Sequence, residues 1–206
     1  MTSTGISSTI TSLNDIEARF GLTQASDPAF FFEWQEELPE LTAEDCAFLD
    51  RLKQRFHYYQ ADGLITEGTI NLVLVAPLLE YLGLCDPPYK IQGEKLVRID
   101  VQDGGRRLQG LIDVLVVQDL LWLVLIESKR YGFSVTQALP QTLAYMMAAG
   151  ASPSFGLITS GEDYLFVKLD RERLQYDLSD KLTLTTRRGN QLYPVLQVLR
   201  RLVKLV

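Results

Sequence analysis

The sequence predicts an α/β fold in which a mixed central sheet is flanked by helices. Three observations favour this class. Three strand-like segments follow one another between residues 95 and 126, and only short turn sequences separate them. A helical segment from Thr66 to about Tyr81 precedes them, and another from Ser134 to about Gly150 follows them before further strands begin. Short turns give antiparallel pairs and a strand, helix, strand order gives a parallel pair, so the sheet should be mixed.

Helices are predicted ahead of this pattern. Short ones are expected from Asn14 to Phe20 and from Pro28 to Glu37. A longer helix is predicted from Thr42 to Gln60, where Thr42 and Asp45 supply an N-cap and an acidic first turn. We expect this helical segment, residues 14–62, to form an added lobe or lid.

The centre of the chain, residues 66–169, begins with one helix and the three strands. Thr66 supplies an N-cap for the helix, and Gly83 ends it. The two-residue alternation at 95–101 predicts a half-exposed strand, and apolar runs at 111–117 and 120–126 predict two more. A turn at Asp103-Gly104-Gly105 and a polar break at Gln118-Asp119 should join them as hairpins.

Further elements complete a single domain that we expect to span residues 14–206. Strands are predicted from Phe155 to Thr159, from Tyr164 to Lys168 and near Leu182 to Thr185, and a closing helix from about Gln191 to Leu205. The helix that starts at Ser134 would carry the one parallel connection, which should be right-handed.

Three charged residues lie within or just after the two apolar runs. Glu127 and Lys129 follow the second run at positions two apart, so they project from one side of the strand. Asp113 lies in the first run. If the hairpin turn centres near Asp119, Asp113 pairs with Leu125, which shares a face with Glu127. The sequence therefore predicts a cluster of two carboxylates and a lysine.

Such a cluster suits metal-assisted hydrolysis of a phosphodiester. Mg²⁺ or Mn²⁺ takes oxygen ligands, and one or two carboxylates with a substrate phosphate make a sufficient site. Asp113 and Glu127 would be the metal ligands, and Lys129 would orient water or stabilise developing charge. The alternative interpretation is a buried ion pair between Glu127 and Lys129, with Asp113 capping a turn.

The flanking residues extend this pattern. Asp113, then Glu127-Ser-Lys129, then Gln141-Thr-Leu-Ala-Tyr145 resembles the core of the PD-(D/E)XK nucleases, and more narrowly the N-terminal endonuclease domain of type I restriction enzyme R subunits. The resemblance covers roughly residues 66–150. It implies a restriction-endonuclease-like fold and a small stand-alone metal-dependent DNA endonuclease, with a homodimer as the expected assembly.

The resemblance also assigns roles to individual residues. It makes Glu67 an auxiliary acidic residue near the metal, and it makes Gln141 and Tyr145 residues that steady the site or touch the DNA backbone. An ordinary polar helix stripe, which would include Gln137, is the alternative for the last two. The chain departs from the family at Ile112, where the naming proline would stand, and it has no G-x-x-x-x-G-K-[ST] loop for a translocating ATPase.

Composition limits the other possibilities. With 47% hydrophobic residues and 22% charged residues, the chain fits a soluble globular protein without a membrane span, and we expect it in the cytoplasm with its two cysteines as reduced, buried thiols. A single histidine excludes histidine-cluster metal sites. Residues 1–13 are rich in Ser and Thr and should form a flexible tail and not a signal peptide.

The net charge of −6 is unusual for a protein that binds nucleic acid, which normally leaves a basic footprint. It favours a second hypothesis, a catalytically silent module that keeps the fold and binds nucleic acid or a partner protein. A local basic rim could still hold DNA, and its candidate members are Arg106, Arg107, Lys129, Arg130, Arg187 and Arg188.

Overall fold

A computed structural model describes residues 3–100, 107–118, 121–128, 130–148 and 152–205. Within these ranges the chain forms one mixed sheet with helices on both sides. The strands are β1 (Ser3–Gly5), β2 (Thr23–Gln24), β3 (Tyr89–Asp100), β4 (Arg107–Gln118), β5 (Leu121–Ser128), β6 (Ser154–Thr159), β7 (Asp163–Asp170), β8 (Gln175–Leu178) and β9 (Leu182–Thr183). The α-helices are α1 (Ile6–Thr9), α2 (Leu13–Phe20), α3 (Ala43–Ala61), α4 (Glu67–Ile70), α5 (Ala76–Tyr81), α6 (Leu139–Met146) and α7 (Leu192–Val203).

The centre of the sheet follows the predicted order. Strands β3, β4 and β5 are successive antiparallel neighbours, and β5 is parallel to β6 across the connection that contains α6. Strand β7 then continues the sheet antiparallel to β6, and β8 pairs antiparallel with β7. The predicted turn at residues 103–105 and the polar break at Asp119 lie outside the described residues.

Two core clusters lie on the two sides of the sheet. The first core cluster joins α3, α5 and α7 to β6 and β7 through residues such as Leu49, Leu199 and Phe166. The second core cluster joins α1, α2 and α6 to the sheet through residues such as Ile16, Leu143 and Ile158. Alternate residues of β6 enter alternate clusters, as a strand covered on both faces requires.

The N-terminal prediction was wrong in two respects. Strand β1 pairs in parallel with β4, and Ile6 and Ile10 are buried in the second core cluster, so residues 3–10 are not a flexible tail. Helix α3 is not part of a lid, because Leu49 and Phe56 lie in the first core cluster. Ile6 and Ile10 are isolated apolar residues in a Ser/Thr-rich segment, so they gave little periodic signal in the sequence.

Other elements differ from prediction in form. Only a 3-10 turn, Phe32–Trp34, forms within the helix expected at 28–37. The helix expected from Ser134 begins as a 3-10 turn, Val135–Ala138, before α6 starts. Two parallel pairings beyond β5 with β6 were not predicted, namely β1 with β4 and β2 with β8.

The helix that starts after Thr66 is continuous but irregular. Thr66 accepts a hydrogen bond from the Thr69 backbone N–H, as an N-cap does, and Gly83 follows the C-terminal end with φ of 73°. Between α4 and α5, the segment Asn71–Val75 is a π-helix. Single π-turns inside α-helices occur frequently at functional sites, and this π-helix directly follows the helical turn that begins at Glu67.

Two remaining expectations concern the surface. Cys46 is half-buried and Cys85 is exposed, so the prediction of two buried thiols was wrong. Among the helices in the described ranges, none has the length and apolar character needed to cross a bilayer.

Candidate functional site

The candidate site lies where β4 and β5 separate. The two strands pair from Gln118 opposite Leu121 as far as Val114 opposite Ile126. The next residue along β4 is Asp113, and the next along β5 is Glu127. Beyond this point β5 remains paired with β6, with Glu127 opposite Ile158 and Ser128 opposite Thr159. The fold therefore brings two acidic residues to adjacent backbone positions at the point where the sheet opens.

The register differs from the one predicted from the sequence. Leu125 lies opposite Leu115 and not opposite Asp113, so the predicted pairing was wrong by two residues. Gln118 lies opposite Leu121 and not opposite Leu120, and the register shifts once more between Val116 and Val117. Both changes shift Asp113 toward Glu127. The two residues therefore lie closer along the paired strands than predicted.

Strand β4 is irregular at Asp113. On β3, Gly93 lies opposite Val114 and Lys95 lies opposite Ile112. Glu94 lies between these two residues, across from Asp113, and its own φ is 49°. A residue other than glycine rarely adopts this conformation, and such strain is concentrated at functional sites.

The side-chain alternation of β4 also breaks there. Ile112 packs in the second core cluster and Val114 packs against the first, although residues two apart should share a face. Asp113, which is half-buried, stands between them at the change of face.

Glu67 lies in the first turn of α4 and is exposed. The segment before it is held to the end of β5, because the Tyr131 backbone N–H donates to the Ile65 carbonyl at 3.0 Å. The other side of the helix rests on the turn between β6 and β7, where Ile70 Cγ1 lies 3.1 Å from the position a Cβ on Gly161 would take. The helix N-terminus is thus fixed near the carboxyl ends of β5 and β6.

Gln141 and Tyr145 are both on α6, one turn apart. Gln141 Nε2 donates to Tyr145 Oη at 2.7 Å, and Tyr145 is buried with 2% of its surface exposed. Tyr145 and Ile158, the residue opposite Glu127, belong to the same core cluster. Gln137 does not share this helix face, because it lies in the preceding 3-10 turn and is exposed.

Gly110 is a feature of this region that the sequence analysis missed. A Cβ built on Gly110 would lie 2.7 Å from Tyr145 Cε1 and 2.7 Å from Tyr145 Oη. Gly110 lies on β4 between the part that pairs with β1 and the part that pairs with β5, three residues before Asp113. An isolated glycine within a strand is the signal that could have been used, since it often marks a close approach.

Part of the predicted site lies outside the described residues. This holds for Lys129 and for the side chain of Glu127, whose backbone alone is described. No group of three or more His, Cys, Asp or Glu side chains able to hold a metal occurs among the residues that are described. Of the predicted basic rim, Arg130, Arg187 and Arg188 are exposed.

Comparisons with known proteins give one distant likeness to report. Among solved structures, the chain is similar to a fragment provisionally assigned to an HsdR subunit of a type I restriction enzyme from Vibrio vulnificus YJ016, with 18% sequence identity and a TM-score of 0.42. The likeness covers 65% of this chain and only 26% of that one. No protein-family model matches the sequence, and no curated protein matches it. Structurally, the chain is a mixed α/β protein with a helix-flanked sheet, and its function has to be inferred from its own residues.

Proposed function

We propose that the protein is a metal-dependent endonuclease that hydrolyses phosphodiester bonds of DNA. The observation that supports this most strongly is the register of β4 and β5, in which Asp113 and Glu127 are the first residues beyond the last paired positions. Two acidic residues at adjacent places in an opening sheet form a suitable base for a cation and a phosphate.

The donor chemistry fits Mg²⁺ or Mn²⁺. Carboxylate oxygens are hard ligands, and these ions keep several waters when only one or two carboxylates bind them. When bound, the ion would lower the pKa of a water and offset charge on the phosphate. Asp113 and Glu127 would hold it, and Glu67, at the helix end fixed beside β5, would act on it through a water.

The remaining residues would act on the substrate or on the shape of the site. Lys129 would orient the attacking water and stabilise the charge that develops on the phosphate oxygens. Because Tyr145 is buried and accepts a hydrogen bond from Gln141, we assign Tyr145 the steadying role and not a contact with DNA. Gln141 is half-buried and could do either.

A plasmid nicking assay tests the proposal. Purified protein should nick supercoiled DNA with Mn²⁺ or Mg²⁺ and not with chelator, and Asp113→Asn and Glu127→Gln should abolish nicking. Asp86→Asn and Glu80→Gln are the matched controls, because both residues are exposed outside the site and should leave activity unchanged. Nicking that survives both site substitutions would contradict the proposal.

A second candidate is a non-catalytic module of the same fold that binds nucleic acid or a partner protein. The net charge of −6 favours it, since few basic residues are present to hold a polyanion. Calorimetric titration with Mg²⁺ and Mn²⁺ separates the two. Metal binding that Asp113→Asn abolishes supports the enzyme, whereas the absence of metal binding together with retained oligonucleotide binding supports the module.

A further inference from the structure

We infer that Gly110 is a positioning residue for the site, because its missing side chain lets Tyr145 pack directly on β4 and fix the strand beside Asp113. This inference rests on the proposed function, since it concerns how the metal-binding carboxylate is held. It assigns a role to a residue outside the acidic cluster.

The contact between Gly110 and Tyr145 leaves no room for a larger residue. A Cβ on Gly110 would meet Tyr145 Cε1 and Oη at 2.7 Å and Cζ at 3.1 Å. Real Cβ atoms do not approach other atoms this closely, so either the ring or the strand would have to move.

The ring has little freedom to move. Tyr145 is 2% exposed within the second core cluster, and its hydroxyl accepts a hydrogen bond of 2.7 Å from Gln141. Protein interiors are close-packed, so a displaced ring would strain its neighbours. The strand is therefore the part that would shift.

Where the shift would occur, β4 is paired on one edge only, with β3, where Gly110 lies opposite Val97. On the edge of β4 that faces β1 and β5, the pairing with β1 ends at Gln109 and the pairing with β5 begins at Val114. Residues 110–113 span the interval between them. A displacement at Gly110 would thus pass along the backbone to Asp113, three residues further on.

A second glycine provides a matched control. Gly93 lies on β3 opposite Val114, and a Cβ there would meet the Asp113 carbonyl oxygen at 3.9 Å, an ordinary contact. Gly93→Ala and Gly110→Ala therefore add the same methyl group near Asp113, and only the second one meets Tyr145.

The experiment compares these variants with Tyr145→Leu and with the double variant Gly110→Ala/Tyr145→Leu. Gly110→Ala should keep the folded circular dichroism spectrum but lower metal-dependent nicking by roughly ten- to a hundredfold, since misplacing a reacting group by about 1 Å can cost a hundredfold. The apparent Mn²⁺ midpoint should rise in the same variant. Gly93→Ala should match the wild type. Tyr145→Leu by itself should also lower nicking, because the ring that packs on β4 is gone. Adding Gly110→Ala to Tyr145→Leu should cause little further loss, whereas adding it to Tyr145→Phe should, because Cε1 remains.

Hydrogen exchange of peptides covering residues 107–118 supplies a readout that does not depend on activity. Exchange should rise in Gly110→Ala, remain unchanged in Gly93→Ala, and be the same in the Gly110→Ala/Tyr145→Leu protein as in Tyr145→Leu. Equal exchange and equal nicking in Gly110→Ala and Gly93→Ala would overturn the positioning role, as would a further loss of nicking when Gly110→Ala is added to Tyr145→Leu. Absence of nicking and of any metal response in the wild type would instead contradict the proposed nuclease.

Discussion

Two acidic regions of the molecule make an instructive contrast. Asp45, at the start of α3, is buried with 2% exposure and has every oxygen engaged: Arg200 donates to both at 2.9 and 2.6 Å, and the Tyr81 hydroxyl and the Thr42 backbone N–H donate at 2.8 Å each. Asp113 stands beside a second acidic position, Glu127, where two strands separate.

The contrast separates a carboxylate that supports the fold from carboxylates that we propose to be arranged for chemistry. Hydrogen bonding by the Arg200 guanidinium lowers the pKa of Asp45 below its usual range, so its charge is stabilised by the protein itself. Two carboxylates brought together repel each other and gain from a cation. The same residue type thus serves stability in one place and, in our proposal, metal binding in the other.

The largest effect is expected from Lys129→Ala. Losing one preorganised electrostatic donor should lower the nicking rate by roughly a hundredfold or more, about 2.7 kcal/mol in the barrier. Metal affinity should change little, because the ammonium is not a ligand. Lys90→Ala, at an exposed position on β3, is the control. Equal nicking rates in wild type and Lys129→Ala would remove the catalytic role of this lysine.

Asp45→Asn should be the most destabilising of the single carboxylate substitutions. It leaves Arg200, which is partly exposed, without its charged partner, so the loss should be about 2 kcal/mol, below the range for a fully buried pair. That corresponds to a fall in melting temperature of roughly 4–8 °C. Thermal melts in chelator measure it, and nicking at 20 °C should be retained.

The pH dependence of this variant follows from the sign of the pKa shift. The folded-state pKa of Asp45 is lowered, so its contribution is present above the unfolded-state value of 3.8 and is lost as the pH falls toward the folded-state value. Wild type should therefore lose more stability on acidification through that window than Asp45→Asn does. Parallel melting curves against pH for the two proteins would contradict the structural role of the ion pair.

A smaller and opposite effect is expected at the proposed metal site. Metal at about ten times its dissociation constant should add about 1.4 kcal/mol, which raises the melting temperature by about 3–6 °C. In chelator, Asp113→Asn and Glu127→Gln should melt at or above the wild type, because each removes repulsion between carboxylates. Both should lose most of the metal-dependent rise. If both instead melt well below the wild type in chelator, the carboxylates are structural and the metal site is wrong.

The smallest expected effect on stability is that of Gln141→Ala. It removes one partly buried hydrogen bond to Tyr145, which should lower the free energy of unfolding by about 1 kcal/mol or less. Nicking should fall more than stability does, if the bond steadies the site. Gln137→Ala, on the exposed 3-10 turn, should change neither quantity. Matched nicking rates for the two variants would indicate an ordinary polar helix stripe.

Several features of the site region were predictable because they depend on local chemistry. The apolar runs ending near Gln118 and starting near Leu121 predicted the hairpin, and the helix predicted from Ser134 gave the parallel connection between β5 and β6. The irregular conformation of Glu94 had no sequence signal, because the residue is not glycine. The packing of Tyr145 on Gly110 could not be predicted either, since the two residues are 35 positions apart and meet only through the fold.

The sequence by itself determined the α/β class, the order of the central strands and helix ends such as the capping box formed by Thr42 and Asp45. These follow from periodicity and from side chains that bond their own backbone. Only the tertiary structure decided the register that sets Asp113 beside Glu127 and the pairing of β1 with β4. A period of two fixes which residues share a face but leaves the register open, so loop length, a bulge and packing against distant side chains had to select it.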